Sequence, residues 1–229
     1  MGKILLKRTA MSQLLHALKN DEDLSPIAVI QSNISPEMED DIPDFLYKFE
    51  KRKGKKDFGL STNEIVTLST ICELTSLKST SIQNWIKRDI KELIGSPEFG
   101  KKYSIEQTAL LFIVKDLKAV FDFETIRQML TKVFNTLSDR SDDLISPLQF
   151  FQLYAKTLEN IGFGSIHISK ASSLEHMIEE EVKRVTEHAL PIKETDRKVI
   201  SHILVVTVMS VLSFHLQLRT LTYANTIIK

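Results

Sequence analysis

The chain has 229 residues, with 30 lysines plus arginines and 30 aspartates plus glutamates, so its formal net charge at neutral pH is zero. This balance argues against a protein that coats nucleic acid through a general basic field, and it allows a locally basic face. The single cysteine, Cys72, excludes an intramolecular disulfide and any metal site built from several thiolates.

The first sixty residues predict short helices followed by a basic segment. Residues 5–18 carry leucines and methionine at helical spacing, which predicts an amphipathic helix ending near Asn20 with Leu5 on its apolar face. The apolar run at 27–30 is too short to assign, and a short helix is expected around 45–49. Five cations then form either a solvated loop or an arm that contacts phosphates: Lys51, Arg52, Lys53, Lys55 and Lys56.

A helix, a polar turn and a second helix follow from Ser61 onward, which is the pattern of a helix-turn-helix. Ser61 and Glu64 have the spacing of a capping box that begins the first helix. Cys72 is expected in the apolar stripe of this helix, where its role is core packing. The polar pair Thr75-Ser76 ends the apolar segment and predicts the turn.

The second helix is predicted to carry a polar outer face. Ser79 is expected to cap it, and Ile82 and Ile86 are four residues apart on its buried face. The remaining side chains offer hydroxyls, amides and cations, the groups that read base edges and phosphates in a major groove: Thr80, Ser81, Gln83, Asn84, Lys87 and Arg88. Trp85 is interpreted either as part of the module's core or as a stacking contact to the DNA backbone.

The glycines and proline at 95–100 prevent this helix from continuing, so the segment 101–103 is expected to be a short extended wing. Ser104 and Gln107 then form a second capping box, which begins a long helix predicted to run as far as Val120. Another short helix is predicted to open at Asp122 or Phe123.

The order of helix, turn, helix, basic wing, capped long helix and short helix resembles the MerR-type winged helix-turn-helix. It resembles still more closely an uncharacterised bacterial family that carries this module. That family's Ile-Pro-Asp…Leu-Tyr entry is matched at 42–47, its Asn-Tyr-Val-Lys core by Asn-Trp-Ile-Lys at 84–87, and its Lys-Lys-Tyr-Ser wing at 101–104. The resemblance covers roughly residues 40–135 and implies a DNA-binding transcriptional regulator.

Within this module, base reading is predicted for Thr80, Gln83 and Asn84. Phosphate contacts are predicted for the cations of the second helix and for the wing: Lys78, Lys87, Arg88, Lys101, Lys102 and Tyr103. Ser79 and Ser81 complete the predicted DNA-binding surface.

The C-terminal part, residues 137–229, is predicted to be helical and to support dimerisation. Its three helices are expected to begin at the following positions: Ser146, Ser172 or Ser173, and the residue after Thr195. Segment 199–218 of the last helix is apolar nearly all round, so it is predicted to be buried within a bundle or between two subunits. It is also long enough to cross a bilayer, although its serines, histidines and glutamine argue against a membrane span.

No motif indicates an enzyme. The chain has no phosphate-binding glycine loop, nucleophile elbow or zinc-protease helix. His176 shares a helical face with Glu179 and Glu180, a spacing that metals use but that more commonly forms a surface salt network. No metal and no cofactor are expected.

The sequence therefore predicts a mostly helical cytoplasmic protein with three parts: a helical extension with a basic linker at 1–60, a MerR-like winged helix-turn-helix at 61–136 and a helical dimerisation or effector region at 137–229. It is predicted to act as a homodimeric repressor on a pseudo-palindromic operator in double-stranded DNA, under an unidentified small-molecule or protein effector. Two alternatives stay open, namely a protein-interaction adaptor that keeps the fold without binding DNA and a membrane-tethered regulator.

Overall fold

The computed structural model describes residues 4–19, 24–51, 58–134, 142–162, 173–189 and 191–228. Within these ranges the protein is mostly helical and has no β-strand beyond isolated bridges. The N-terminal half contains α1 (Arg8–Lys19), α2 (Pro26–Gln31), α3 (Asp44–Glu50), α4 (Thr62–Ile71), α5 (Ser79–Asn84) and α6 (Lys91–Ile94). The remaining helices are α7 (Ile105–Leu117), α8 (Phe123–Leu130), α9 (Pro147–Asn160), α10 (Leu174–Ala189) and α11 (Glu194–Ile228).

Most helix starts follow the local signals in the sequence. Both predicted capping boxes form in full, Ser61 with Glu64 at α4 and Ser104 with Gln107 at α7. Asp122 caps α8, and the main-chain N–H of His176 donates to Ser173 Oγ at the start of α10. The apolar run at 27–30, too short to assign from its pattern, is helical because Ser25 caps α2 and Pro26 occupies its first turn.

Helix α7 is the centre of the fold. Eleven of its 13 residues are buried, and it packs against α1, α9 and α11 and reaches α6. Its sequence is apolar nearly all round because a helix surrounded on all sides has no face left for water. The buried hydrophobic residues form one cluster that extends from Ile4 to Leu212. The three-part division of the chain stays a prediction, and its parts share this core.

The N-terminal segment pairs with the residues that follow α4, and this corrects two predictions. Leu6 N–H donates to Ile71 O at 2.6 Å, and Glu73 N–H donates to Leu6 O at 2.9 Å. Residues 4–7 are therefore not helical, and Leu5 is 62% exposed instead of lying on an apolar helix face. Cys72 lies after the end of α4 instead of in its stripe, yet it is a core residue, and burial raises its pKa to about 12.

Two further predictions about helix ends are wrong. Val120 lies outside α7 and is 50% exposed, because α7 ends at Leu117 and the chain turns so that Asp122 can cap α8. Ser79 does not cap α5, since it is the first helical residue and Lys78 is the N-cap residue, without a side-chain cap bond.

The last helix, α11, has 35 residues and two different halves. Its first half is buried at Ile200, Leu204 and Val208 and packs against α7, α9 and α10. Its second half leaves large apolar side chains in solvent: Leu216 (61% exposed), Leu221 (62%) and Tyr223 (73%). The stretch Glu194–Thr226 is long and apolar enough to cross a membrane by length and composition alone, a test that the core helix of a soluble protein also passes.

Candidate functional site

Helices α4 and α5 form a compact pair across a turn at 72–78. Ser69 Oγ, at the buried end of α4, accepts a hydrogen bond from the main-chain N–H of Leu77 at 2.9 Å. Leu74 has φ 53°, and among the described residues it is the one non-glycine residue with positive φ. Left-handed backbone at a leucine costs about 1–3 kcal/mol, so tertiary contacts around the turn must stabilise it.

The segment after the turn forms one outward-facing helical stretch from Ser79 to Asp89. Helix α5 continues as a π-type turn over Trp85–Asp89, closed by the bond from Ile90 N–H to Trp85 O at 2.8 Å. Ile82 and Ile86 are buried, as their spacing predicts. Trp85 is half-buried and packs edge-on against Phe123, with ring centroids 5.6 Å apart, so it helps to hold this stretch on α8.

The side chains predicted to read DNA lie on the solvent face of this stretch. The exposed ones are Lys78, Thr80, Gln83, Asn84, Lys87 and Arg88, while Ser79 and Ser81 are half-buried. Within the described ranges, none of its three cations makes an ion pair. Cations with no ion pair to a described residue, beside amides and hydroxyls, form a surface that can bind phosphate and base edges.

A small hairpin lies at the residues predicted to form the wing. Phe99 and Lys102 exchange main-chain hydrogen bonds of 3.0 and 3.1 Å across the two-residue loop Gly100-Lys101. Gly100 has φ +69°, which suits the first central position of a type II′ turn. Tyr103 then pairs with Leu60 through bonds of 2.7 and 2.8 Å, which fixes the hairpin beside the start of α4.

The three predicted contact residues of the wing differ in how free they are. Lys101 is exposed at the tip of the hairpin. Lys102 is half-buried, with Nζ 3.3 Å from Glu64 Oε2 and 5.6 Å from the centroid of the Phe58 ring. Tyr103 is 9% exposed, so most of its side chain packs inside the module. Of these three residues, Lys101 is therefore the most accessible to a ligand.

The contact between Lys102 and Glu64 also supports the start of α4. Partial burial would raise the pKa of Glu64, but the hydrogen bonds from Ser61 and the charge of Lys102 outweigh it and lower that pKa. Glu64 is thereby kept ionised, so it accepts the capping bond from Ser61 N–H at the start of α4 and also pairs with Lys102 of the hairpin.

The predicted basic arm lies mostly outside the described residues. Lys51 is exposed directly after α3, and the other four cations of the arm fall in the undescribed range: Arg52, Lys53, Lys55 and Lys56. The interpretation of this segment as a phosphate-contacting arm stays a prediction.

A buried ion pair connects this site to the centre of the fold, and the sequence did not predict it. Arg8 at the start of α1 is 1% exposed, and its guanidinium meets Asp116 on α7 through Nη2–Oδ1 at 2.7 Å and Nε–Oδ2 at 3.2 Å. The Tyr154 hydroxyl on α9 donates to Asp116 Oδ2 at 2.9 Å. Arg8 Nη1 also donates to Glu73 O at 2.9 Å, and Nη2 lies 3.4 Å from Thr75 Oγ1.

This network joins four elements, namely α1, α7, α9 and the turn between α4 and α5. Burial alone would lower the pKa of Arg8, but the adjacent Asp116 carboxylate raises it, so the guanidinium stays charged. Burial and the same carboxylate raise the pKa of Tyr154, which therefore stays a donor. The turn that presents α5 is thus tied by charged hydrogen bonds to the core of the bundle.

The histidine cluster considered as a metal site is an exposed contact on α10. His176 Nε2 lies 3.7 Å from Glu180 Oε1, and both side chains are mostly in solvent. In the part of the chain that the structure describes, no group of three His, Cys, Asp or Glu side chains is arranged to hold a metal ion.

Two of the comparisons with known proteins found a match. The family model described as a domain of unknown function, DUF1836, matches residues 39–156. The "Uncharacterized protein YkrK" of Bacillus subtilis (strain 168) is 48% identical over 217 residues, which cover 93% of this chain and 93% of that protein. No solved structure matches. The family match spans the helix pair, the hairpin, Asp116 and Tyr154, and the relative is similar over nearly its whole length; the chain therefore belongs to the DUF1836 family.

Proposed function

We propose that the protein is a sequence-specific, DNA-binding transcriptional regulator whose residues 61–136 act as a MerR-like winged helix-turn-helix. The observation that carries the proposal is the exposed row of Thr80, Gln83 and Asn84 on α5, flanked by cations without ion-pair partners in the described ranges. Amide side chains can bond two atoms of an adenine edge at once, so such a row suits the major groove.

The dimensions of this segment suit a recognition helix. The 11 residues from Ser79 to Asp89 span roughly 16 Å at the rise of a helix, longer than the major groove is wide. Lys101 at the tip of the hairpin would contact the phosphate backbone beside the groove, while Lys78, Lys87 and Arg88 would contact phosphates along its edge.

A dimer is part of the proposal because one module offers few cations. With a net charge of zero, a single copy would bind DNA weakly, whereas two modules in a symmetric dimer bind two half-sites as one event. The exposed apolar half of α11 supplies the surface that two copies would share. Such a dimer, working in the cytoplasm, would act as a repressor by occupying a pseudo-palindromic operator.

The base-reading role is tested by Gln83→Ala and Asn84→Ala. Each is expected to weaken binding to the best operator by about 1–3 kcal/mol and to change binding to random DNA little, because a bidentate amide–adenine pair is lost. Gln128→Ala, which removes an exposed amide on α8 instead of α5, is the matched control. Quantitative gel shifts on both DNAs are the measurement. Equal losses on operator and random DNA would show that the residue holds the backbone or the fold.

The wing is tested by Lys101→Ala. The slope of log affinity against log salt concentration is expected to become shallower by about one unit, because one phosphate contact and its released counterion are lost. The matched control is Lys183→Ala on α10, another exposed lysine, for which the slope should stay the same. If this slope is unchanged in Lys101→Ala, Lys101 does not contact phosphate and the hairpin tip lies in solvent.

A membrane-tethered regulator is the second candidate, and the observation in its favour is the apolar length of Glu194–Thr226. Against it, the first half of α11 supplies Ile200, Leu204 and Val208 to the bundle core, and a spanning helix would have to withdraw them. Flotation of the full-length protein with lipid vesicles distinguishes the candidates, since the soluble dimer should stay in the dense fraction.

A further inference from the structure

A cleft of about 430 Å³ lies outside the predicted DNA-binding surface. Residues of α1, α9 and α10 line it together with Asn33. Helices α1 and α10 both pack on α9, so α9 forms its floor. The volume falls within the range of small-molecule sites in proteins.

One buried polar atom in this cleft has no partner. Ser12, on the α1 side, is 2% exposed, and its Oγ makes no hydrogen bond with any described residue. A buried hydroxyl without a partner destabilises the fold, and native proteins generally avoid this arrangement. A ligand that hydrogen-bonds Ser12 would remove that penalty, which makes Ser12 the point around which a site can form.

The rest of the lining indicates the chemistry of the ligand. At the open side, Lys156 Nζ and Glu159 Oε2 form a half-exposed pair 3.0 Å apart, so the cleft offers one positive and one negative group. Leu153 and Val185 supply an aliphatic wall, and no aromatic ring is among the described lining residues. Sugars and bases commonly stack on aromatic rings, which this lining lacks among the described residues. An aliphatic molecule with a carboxylate and an ammonium matches Lys156 and Glu159 in charge and the aliphatic wall in polarity.

We propose that this cleft binds a small aliphatic zwitterion, either a free amino acid or a short peptide. The carboxylate of the ligand pairs with Lys156 and its ammonium pairs with Glu159. A polar group of the ligand, either from the zwitterionic end or, in a peptide, from the main chain, hydrogen-bonds Ser12. Its side chain packs against Leu153 and Val185. The binding site stands on the cleft itself, and only its role as an effector site rests on the proposed DNA-binding function.

The position of the cleft connects it to the helix-turn-helix. Glu159 Oε1 accepts a hydrogen bond of 3.3 Å from Thr9 Oγ1. Thr9 adjoins Arg8, whose guanidinium holds Glu73 O in the turn between α4 and α5. A ligand that draws Glu159 away from Thr9 therefore acts on the first turn of α1, where the buried network anchors that turn. Binding at the cleft and binding to DNA would be linked through this contact, with equal coupling in both directions.

The test is isothermal titration calorimetry of the full-length protein with three probes: L-leucine, the dipeptide Leu-Leu and N-acetyl-leucinamide, which has the same side chain and no charges. Leucine or the dipeptide is expected to bind saturably and the uncharged analogue is not. Lys156→Ala should weaken binding about tenfold or more, because a charge-assisted hydrogen bond is lost. Ser12→Ala should also weaken binding while leaving the melting temperature unchanged or slightly raised, since the free protein loses an unsatisfied hydroxyl.

The outcomes separate the site from the DNA-binding proposal. Binding of leucine but not of the dipeptide supports the site and identifies its ligand as a free amino acid. Binding of the dipeptide but not of leucine supports the site and identifies its ligand as a peptide. Equal binding of the uncharged analogue overturns the zwitterion class. Absence of binding by all three probes, or affinities unchanged in both variants, overturns the site. Gel shifts on the same preparation measure DNA binding independently. If the protein fails to bind DNA, the regulator proposal is rejected, while the ligand-site proposal is unaffected.

Discussion

Asp116→Ala is expected to destabilise the protein by about 3–5 kcal/mol, because it leaves the buried guanidinium of Arg8 without its carboxylate. Arg8 is 1% exposed and Asp116 is 4% exposed, so water cannot replace the lost contacts without opening the core. The Tyr154 hydroxyl loses its acceptor in the same variant. Domains have about 5–15 kcal/mol of stability in total, so this loss would be a large share of the free energy of unfolding.

Chemical denaturation followed by circular dichroism measures this loss. Glu124→Ala is the matched control, since it also removes a carboxylate paired with an arginine, Arg127, but on the surface of α8. The stability should change little there, because solvent screens an exposed pair and rehydrates the partner left behind.

Replacing the whole network by apolar side chains should recover most of the loss. The triple variant Arg8→Met, Asp116→Leu and Tyr154→Phe leaves no charge or hydroxyl of the network unpaired, and apolar replacements of buried ion pairs are often neutral or stabilising. Recovery would confirm that the cost in Asp116→Ala comes from the stranded charge. A small effect of Asp116→Ala alone would instead contradict the buried geometry of Arg8.

Ending the chain after His215 is expected to lower operator affinity by about 10²–10⁴-fold, because it should convert a dimer into a monomer and remove the effective concentration of the second module. The deletion takes away the exposed apolar half of α11, including Leu216, Leu221 and Tyr223. It keeps the buried half, from Ile200 to Leu212, that packs against α7, α9 and α10. Helical content and melting temperature should therefore stay close to those of the full chain.

Analytical ultracentrifugation and gel shifts of both proteins are the measurement. A full-length double variant, Leu216→Asp with Leu221→Asp, is the control that keeps the helix length while placing charges in the exposed apolar segment. It should also be monomeric and bind the operator weakly. If the full chain is a monomer, and both variants bind the operator as tightly as the full chain does, the second half of α11 has no role in dimerisation.

The parts of the fold that the sequence predicted are those with signals inside a short window. The capping boxes at Ser61 and Ser104 and the Ile82–Ile86 face each depend on residues three or four apart, so their geometry follows from one helical turn. The errors occurred where a helix ends. Cys72 continues the apolar spacing of α4, but its backbone pairs with Leu6, and this distant strand-like contact replaces the last helical turn.

The long-range network was beyond sequence patterns for a physical reason. Arg8 and Asp116 are 108 positions apart, and periodicity within α1 or α7 does not indicate which helices become neighbours. A signal was nevertheless present, since Asp116 is a carboxylate close after the apolar run 109–114 of α7, and a buried charge requires a partner. The same limitation applies to Lys102, whose engagement with Glu64 and Phe58 depends on how the hairpin folds back on α4.

Sequencing the genomic DNA that copurifies with the protein tests the central claim most directly. A DNA-binding regulator should enrich a small set of fragments that share one pseudo-palindromic sequence, with half-sites about one helical turn apart or a multiple of it. The enrichment should disappear in the Gln83→Ala, Asn84→Ala double variant, which should fold normally because both side chains are exposed. If the DNA that copurifies with the wild-type protein shows no sequence enriched over total genomic DNA, even at low salt, the DNA-binding proposal is contradicted.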